Sequence, residues 1–134
     1  MSIFKTKKIV RLSHTDAAGV LYFSRIFDLM HEAYEDLLLE KGISISELLK
    51  HDLYTFPIVS AHADYKRPIV VGDDLTFQLA PKARSTSFEI AYHIFRKTEL
   101  VAEAHTVHVC LSKLTRRPVP IPDLLHDLFA SNSR

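Results

Sequence analysis

The hydrophobic and polar positions of this chain repeat with two different periods. Between residues 24 and 41, apolar side chains recur every three or four positions, a spacing that predicts one amphipathic α-helix. Those residues would extend about 27 Å as a helix, which is long for a small domain. Gly42 follows, at a position where helices commonly end in the left-handed conformation. Residues 4–12, rich in Lys, Thr, Ile and Val, predict a strand before the helix.

Beyond residue 58 the apolar positions alternate with polar ones, which predicts extended strands. The breaks between the alternating runs are short, at 68–74, 81–85 and 97–100. Short breaks indicate antiparallel neighbours, because a parallel pair needs a crossover of about a dozen residues. The apolar members of the four runs are Val59, Ala61, Ala63 and Tyr65; Leu75, Phe77 and Leu79; Phe88, Ile90, Tyr92 and Ile94; and His105, Val107, Val109 and Leu111.

Two shorter helices complete the pattern. Ser44, with Glu47 three residues later, predicts a capping box for a helix over 44–51, and a terminal helix is expected over 123–130. A strand, a long helix and four antiparallel strands indicate an α+β fold in which a twisted five-stranded antiparallel sheet wraps the helix. We expect residues 1–134 to form one domain. Apolar residues left on the other sheet face and on the edges suggest a homo-oligomer.

Composition narrows the classes of function. With 134 residues the chain can bury about 68% of its unfolded surface without metal or disulfides. Its three glycines are too far apart for a G-x-G-x-x-G or Walker-type phosphate loop. Seventeen Lys and Arg balance sixteen Asp and Glu, which argues against a nucleic-acid binder. One cysteine, no secretory signal and no apolar run long enough for a membrane span predict a cytoplasmic protein without membrane contact.

The eight histidines do not form a convincing metal site. His105 and His108 point to opposite faces of a strand, whereas His62 and Asp64 share a face without a visible third ligand, so a core or interface pair is favoured. Cys110 lies within a strand pattern, with no neighbour to activate its thiol, and is expected to be buried filler. We expect no metal and no cofactor.

The segment Ser-His-Thr-Asp-Ala-Ala-Gly-Val-Leu-Tyr-Phe-Ser-Arg-Ile-Phe at 13–27 resembles the active-site signature of the 4-hydroxybenzoyl-CoA thioesterase family of hotdog-fold proteins. Phe-Pro-Ile-Val-Ser at 56–60 and Gly-Asp-Asp-Leu at 72–75 are similar to the same family. Within it, the sequence most resembles the 1,4-dihydroxy-2-naphthoyl-CoA hydrolases of phylloquinone biosynthesis. The resemblance implies a helix wrapped by a curved sheet, homodimers paired into tetramers, sites at the subunit boundary, and hydrolysis of an acyl-CoA.

Thioester hydrolysis needs a group that attacks the carbonyl or activates water, and a group that holds the developing oxyanion. The resemblance assigns the first role to Asp16, as nucleophile or general base, and the second to the backbone N–H of Phe23 near the helix N-terminus. Gly19 would let the backbone approach the ligand closely. On spacing alone, Asp16 could equally be a turn or capping residue, and Phe23 a core aromatic.

The resemblance also implies residues that bind the substrate. His31 is expected to meet a ring hydroxyl of an aromatic acyl group, although a half-exposed helix histidine is the plainer alternative. Arg84 and Arg117 match positions that bind the phosphates of coenzyme A. Lys82 and Arg116 are neighbours that could share this role or be solvated surface charges.

Two other functions remain open from the sequence. One is a broad-specificity thioesterase for aliphatic or housekeeping acyl-CoA substrates, which the aromatic Phe23 makes less favoured. The other is a non-catalytic acyl-thioester binding protein on the same fold, in which Asp16 would be incidental.

Overall fold

The computed structural model describes residues 3–132, so the ends of the expected domain 1–134 (residues 1, 2, 133 and 134) lie outside the described part. One long helix lies against a five-stranded antiparallel sheet. The α-helices are α1 (Arg25–Glu40), α2 (Ile45–Leu49) and α3 (Asp123–Asn132), and a short 3₁₀ helix spans Leu12–His14. The strands are β1 (Phe4–Ile9), β2 (Tyr54–Thr55), β3 (Ile58–Tyr65), β4 (Asp74–Ala83), β5 (Ser87–Arg96), β6 (Glu99–Val109) and β7 (Leu111–Ser112).

The sheet order is β1-β4-β5-β6-β3, with β1 and β3 on the edges, and β2 pairs separately with β7. All pairs are antiparallel. The strand, long helix and four-strand pattern read from the sequence is therefore confirmed, and the arrangement is the hotdog fold.

The core lies between α1 and the inner face of the sheet. Burial of apolar area, at about 25 cal/mol per Å², holds the helix there more than its intrinsic propensity does. The buried residues of α1 recur at helical spacing, while those of β4 and β5 occupy alternate positions. The buried side chains of α1 are Ile26, Leu29, Met30, Ala33, Tyr34, Leu37 and Leu38.

The inner face of β6 differs from the one that its apolar alternation indicates. Val107 and Val109 are only partly buried, whereas Thr106 and His108 are each 2% exposed and belong to the buried face. Two small residues, Ala102 and Ala104, precede them on that face. The prediction that the apolar positions of β6 form its buried face is wrong. These two valines lie on the outer face, and the inner face carries small and polar residues.

Several local predictions are confirmed. Ser44 caps α2, with its hydroxyl oxygen accepting from the Glu47 N–H at 3.1 Å and its hydroxyl bonding the Glu47 carboxylate at 2.9 Å. Gly42 has φ +84°, the left-handed conformation expected after α1. Cys110 is buried, and burial raises the pKa of its thiol. Within residues 3–132, every helix is too short or too polar to cross a membrane.

Candidate active site

Asp16 lies in a tight turn ahead of α1, where its carboxylate organises the backbone around it. Oδ1 accepts from the N–H of Ala18 at 2.9 Å and from the N–H of Val20 at 3.1 Å. The Gly19 N–H bonds the Asp16 carbonyl at 3.0 Å, and Gly19 has φ +78°, a conformation that side chains other than glycine's rarely adopt. The side chain of Asp16 is exposed, so Oδ2 remains open to an approaching molecule.

The turn is fixed to the segment that leads into β4. The Val71 N–H donates to the Gly19 carbonyl and the Leu21 N–H to the Ile69 carbonyl, both at 2.8 Å. Asp73 stabilises that segment, because its carboxylate accepts from Arg96 at 2.8 Å and from a backbone N–H. The Asp16 carboxylate is therefore presented by a rigid turn rather than by a free loop.

Phe23 occupies the turn that leads into α1. Its backbone N–H has no hydrogen-bond partner among the described residues, while its carbonyl accepts from the Tyr65 hydroxyl at the end of β3. Burial raises the pKa of Tyr65, so this phenol stays protonated and able to donate. The Phe23 side chain is 66% exposed, so the interpretation of it as a core aromatic is wrong. A free N–H near a helix N-terminus suits a developing negative charge.

A cavity of about 310 Å³ lies farther along α1. Its walls come from α1, α2, the segment 55–58 and the inner face of β6. Most of the lining is apolar or aromatic, and the polar side chains are His31, Glu35, Thr55 and His108, together with the hydroxyl of Tyr34. The structure thus places His31 at the wall of a cavity with an apolar interior.

His108 is held at the wall of this cavity by aromatic rings and by a buried hydroxyl. Its ring stacks on Phe88 with centroids 4.6 Å apart and lies 4.8 Å from the ring of Tyr34. Nε2 is 3.0 Å from the Thr106 hydroxyl, which is 3.4 Å from the hydroxyl of Tyr92. Burial, with a smaller electrostatic contribution from His31, lowers the pKa of His108 to about 4.

The basic residues lie at the opposite end of the sheet from Asp16. Arg84 lies in the turn between β4 and β5, and the Ile121 N–H donates to the Ser85 carbonyl at 3.0 Å, so the segment carrying Arg117 adjoins this turn. These arginines, together with Lys82 and Arg116, are exposed and have no ion-pair partner in the described chain. Because β4 separates the two ends by ten residues, or about 33 Å, one chain does not bring Asp16 and Arg84 together.

Sequence reasoning missed Tyr65, Thr106 and His108. The signal for the last two was present as polar residues two positions apart on a strand, at alternate positions with two alanines. For Tyr65 no local signal exists, because its partner Phe23 is 42 residues away. His62 and Asp64 contact each other at 3.1 Å and are both more than half exposed, so the core alternative is wrong and the interface alternative stays a prediction.

Comparison with known proteins gives matches over most of the chain. The sequence model of the thioesterase-like superfamily matches residues 10–129. A 1,4-dihydroxy-2-naphthoyl-CoA hydrolase from Nostoc punctiforme is 37% identical over 132 residues, covering 98% of this chain and 89% of the relative. One from Acaryochloris marina is 38% identical over 119 residues, covering 86% and 87%.

Solved structures give the same result. A 1,4-dihydroxy-2-naphthoyl-CoA thioesterase from Synechocystis superposes with a TM-score of 0.91 at 29% identity, covering 99% of both chains. A gentisyl-coenzyme A thioesterase superposes with a TM-score of 0.81 at 27% identity, covering 92% of this chain and 98% of that one. Sequence and fold together establish that this chain belongs to the thioesterase-like superfamily of hotdog proteins.

Proposed function

We propose that this protein hydrolyses 1,4-dihydroxy-2-naphthoyl-CoA to 1,4-dihydroxy-2-naphthoate and coenzyme A, a step of phylloquinone biosynthesis. The observation that carries the proposal is the pairing of an anchored carboxylate, Asp16, with an unpartnered backbone N–H, that of Phe23, beside the N-terminus of α1. Relatives over nearly the whole chain bear the name of this activity.

The chemistry at Asp16 can take two forms with the same anchored carboxylate. Oδ2 can attack the thioester carbonyl carbon, which expels the CoA thiolate and leaves an acyl-aspartyl anhydride that water then cleaves. Alternatively, the carboxylate can remove a proton from water as the water attacks. In both forms the carbonyl oxygen gains negative charge, and the Phe23 N–H is available to stabilise it. After a single turnover in isotopically labelled water, label in Asp16 identifies the first form, because water that attacks the aspartyl carbon of the anhydride leaves its oxygen there and the second form never does so.

The cavity at α1 suits the ring of the acyl group. Its volume of about 310 Å³ is at the small end of ligand pockets, so it fits an aromatic acyl group better than a whole acyl-CoA. Its apolar walls would bury the ring, and His31 would meet a ring hydroxyl. This polarity supports a hydroxylated aromatic substrate over an aliphatic one.

A second copy of the chain would complete the site. β3 is an edge strand with all but one of its eight residues exposed, including Val59 at 60%, and such an edge is open to strand pairing. Antiparallel pairing of two β3 strands about a twofold axis would bring the Ile58 end, beside the cavity, next to the Tyr65 end of the other copy, where the Phe23 turn lies. Two such homodimers would form a tetramer, as the resemblance implies.

The exposed arginines would bind the phosphates of coenzyme A. Arg84 and Arg117 lie on adjoining segments, and their guanidinium groups are free of ion pairs within residues 3–132. Lys82 and Arg116 are nearby cations that could add to the local positive potential. With the dimer described above, these groups would serve Asp16 of the partner subunit rather than that of their own chain.

Thiol release from a panel of aryl-CoA and alkyl-CoA thioesters tests the proposal. We expect the wild type to prefer 1,4-dihydroxy-2-naphthoyl-CoA and Asp16→Asn to be inactive. Preference for alkyl chains would indicate a housekeeping thioesterase, and no turnover of any thioester would indicate a binding protein. A kcat of Asp16→Asn equal to that of the wild type would overturn the assigned chemistry.

Mixing variants tests the shared site. If Asp16 and Arg84 act together across a dimer, the inactive Asp16→Asn and an Arg84→Glu variant each damage a different half of the same site. Remixing them would regenerate one intact site in each mixed dimer, giving up to about a quarter of the wild-type activity. No recovery, with exchange of subunits verified by mass spectrometry, would contradict the shared site.

A further inference from the structure

We propose that His108 is a second substrate-reading residue of the acyl cavity, and that it donates a hydrogen bond from Nδ1 to a ring oxygen of a hydroxylated aromatic acyl group. The inference rests on the proposed function. It assigns part of the substrate specificity to a residue of the sheet that lines the same cavity as His31 of the helix. Thr106 and Tyr92 are its positioning residues.

The first observation is where the two ring nitrogens of His108 point. Nε2 is engaged by the Thr106 hydroxyl at 3.0 Å, whereas Nδ1 has no hydrogen-bond partner in the described chain. Among the side chains of residues 3–129, no fully buried nitrogen or oxygen lacks a partner, so Nδ1 must keep some accessible surface. His108 is 98% buried and lines the cavity, so this surface faces the cavity.

The second observation fixes the position of the ring proton. The hydroxyl of Tyr92, on a residue that is 1% exposed, has the Thr106 hydroxyl as its partner and needs an acceptor. If Tyr92 donates to Thr106, then the Thr106 proton goes to Nε2 of His108. A neutral imidazole carries one proton, which therefore sits on Nδ1. The reverse direction would leave the Tyr92 proton without an acceptor.

The third observation is that His108 stays neutral at physiological pH. Burial, with a smaller electrostatic contribution from His31, lowers the pKa of this imidazole to about 4. Burial also raises the pKa of Tyr92, so the hydroxyl that begins this series of hydrogen bonds keeps its proton. The donor at Nδ1 is therefore present at neutral pH without a buried positive charge.

These properties select the chemistry of the ligand. A fixed N–H at the wall of this mostly apolar cavity needs an acceptor such as a phenolic oxygen, whereas a hydrocarbon ligand would leave it unpaired. His31 from α1 and His108 from β6 line the same cavity. An aromatic ring with two oxygens matches such a pair better than an unsubstituted ring or an alkyl chain.

Discrimination between substrates tests the proposal. The kcat/KM of the wild type and of His108→Phe is measured for 2-naphthoyl-CoA and for its 1-hydroxy, 4-hydroxy and 1,4-dihydroxy forms. Phe keeps the stacking on Phe88 and removes the donor. We expect the preference for at least one hydroxylated form over 2-naphthoyl-CoA to fall by about tenfold. His93→Phe, at an exposed position on the outer face, is the matched control and should keep the preference.

The positioning residues need a readout other than rate. ¹⁵N NMR of the His108 ring should show the proton on Nδ1 in the wild type. In Tyr92→Phe the directing proton is lost, so we expect a mixture of the two neutral tautomers and a smaller loss of discrimination. This measurement needs only folded protein, and it decides the question if His108→Phe does not fold.

Two results would overturn the proposal. One is an equal decrease in kcat/KM for hydroxylated and unsubstituted substrates in His108→Phe, with the wild type still active on the dihydroxy substrate. The other is a wild-type ring proton on Nε2. If the wild type hydrolyses no thioester, the proposed function fails by itself. Calorimetric binding of 1-hydroxy-2-naphthoate against 2-naphthoate then still tests His108.

Discussion

The turn at Asp16 and the His108 wall of the cavity present polar groups in opposite ways. Asp16 is exposed and is held by backbone groups two and four residues away. His108 is buried and is held by Thr106, Tyr92 and two aromatic rings, which the sheet and α1 bring together. The first arrangement suits a group that must meet water and change its bonding. The second suits a group that must keep one orientation and one charge state.

Because of this difference in burial and support, the two regions should respond differently to substitution. At the Asp16 turn, Oδ1 accepts the backbone hydrogen bonds, whereas the proposed reaction uses Oδ2. A substitution can therefore change the reaction and keep the turn. At His108, the hydrogen bonds, the stacking and the charge state depend on the same burial. Substitutions at Asp16 should therefore change activity more than stability, whereas those at His108 should change both.

The largest expected effect is on catalysis at Asp16. Asp16→Asn keeps an oxygen for the N–H groups of Ala18 and Val20 but removes the carboxylate charge. We expect kcat to fall by about 10²- to 10⁴-fold with unchanged stability. Asp16→Ala should lose the same activity and also about 1 kcal/mol of stability, because the turn loses its acceptor. Steady-state kinetics with urea denaturation measure both, and equal stability of the two variants would contradict the separation.

The next effect concerns pH and the stability of the region around His108. Its folded pKa, about 4, lies below the ordinary value of 6.5, so below pH 6.5 the unfolded chain binds a proton that the folded protein excludes. Stability should therefore be full above pH 6.5 and fall as the pH decreases towards 4, by about 3 kcal/mol from this group. The difference between wild type and His108→Phe in urea denaturation, measured at each pH, isolates it. A constant difference would show that His108 titrates normally.

A smaller effect is expected from the glycine in the Asp16 turn. Gly19→Ala would place a Cβ 3.5 Å from a Val71 methyl group, an ordinary contact, so space is not the difficulty. The positive φ costs about 1–2 kcal/mol for a residue with a side chain. Thermal unfolding measures that loss. Gly42→Ala, at another positive φ but with nothing near the added Cβ, controls for the backbone cost. Equal destabilisation, with activity lost only in Gly19→Ala, would tie the turn conformation to catalysis.

The smallest effect is expected at the exposed arginines. Arg84→Ala should raise the KM for an acyl-CoA about fivefold, corresponding to about 1 kcal/mol for an exposed charge pair, and leave kcat unchanged. An N-acetylcysteamine thioester of the same acid has no nucleotide and should be unaffected. Lys5→Ala, at an exposed cation on β1 that has no role in the proposed site, is the control. An equal change with both thioesters would indicate that Arg84 does not bind the CoA phosphates.

Much of the architecture was predictable because it follows from local periodicity. The helical spacing of apolar residues predicted α1 within one residue at each end, and short breaks predicted the antiparallel order. The β6 face was not predictable from apolar content, because the imidazole of His108 and not an aliphatic side chain packs against Tyr34 and Phe88. The role of Tyr65 was not predictable either, since it depends on a contact across 42 residues.

The sequence by itself determined the helices, the strands and the Asp16 turn. The Asp16 turn and the Ser44 cap are made by hydrogen bonds between residues no more than four positions apart. The local sequence is therefore enough to specify them. Only the tertiary structure decided that His108 faces the cavity and that Asp16 and Arg84 lie at opposite ends of one sheet. Strand register and helix packing set those positions. Both act between residues far apart in the chain, where local pattern carries no information.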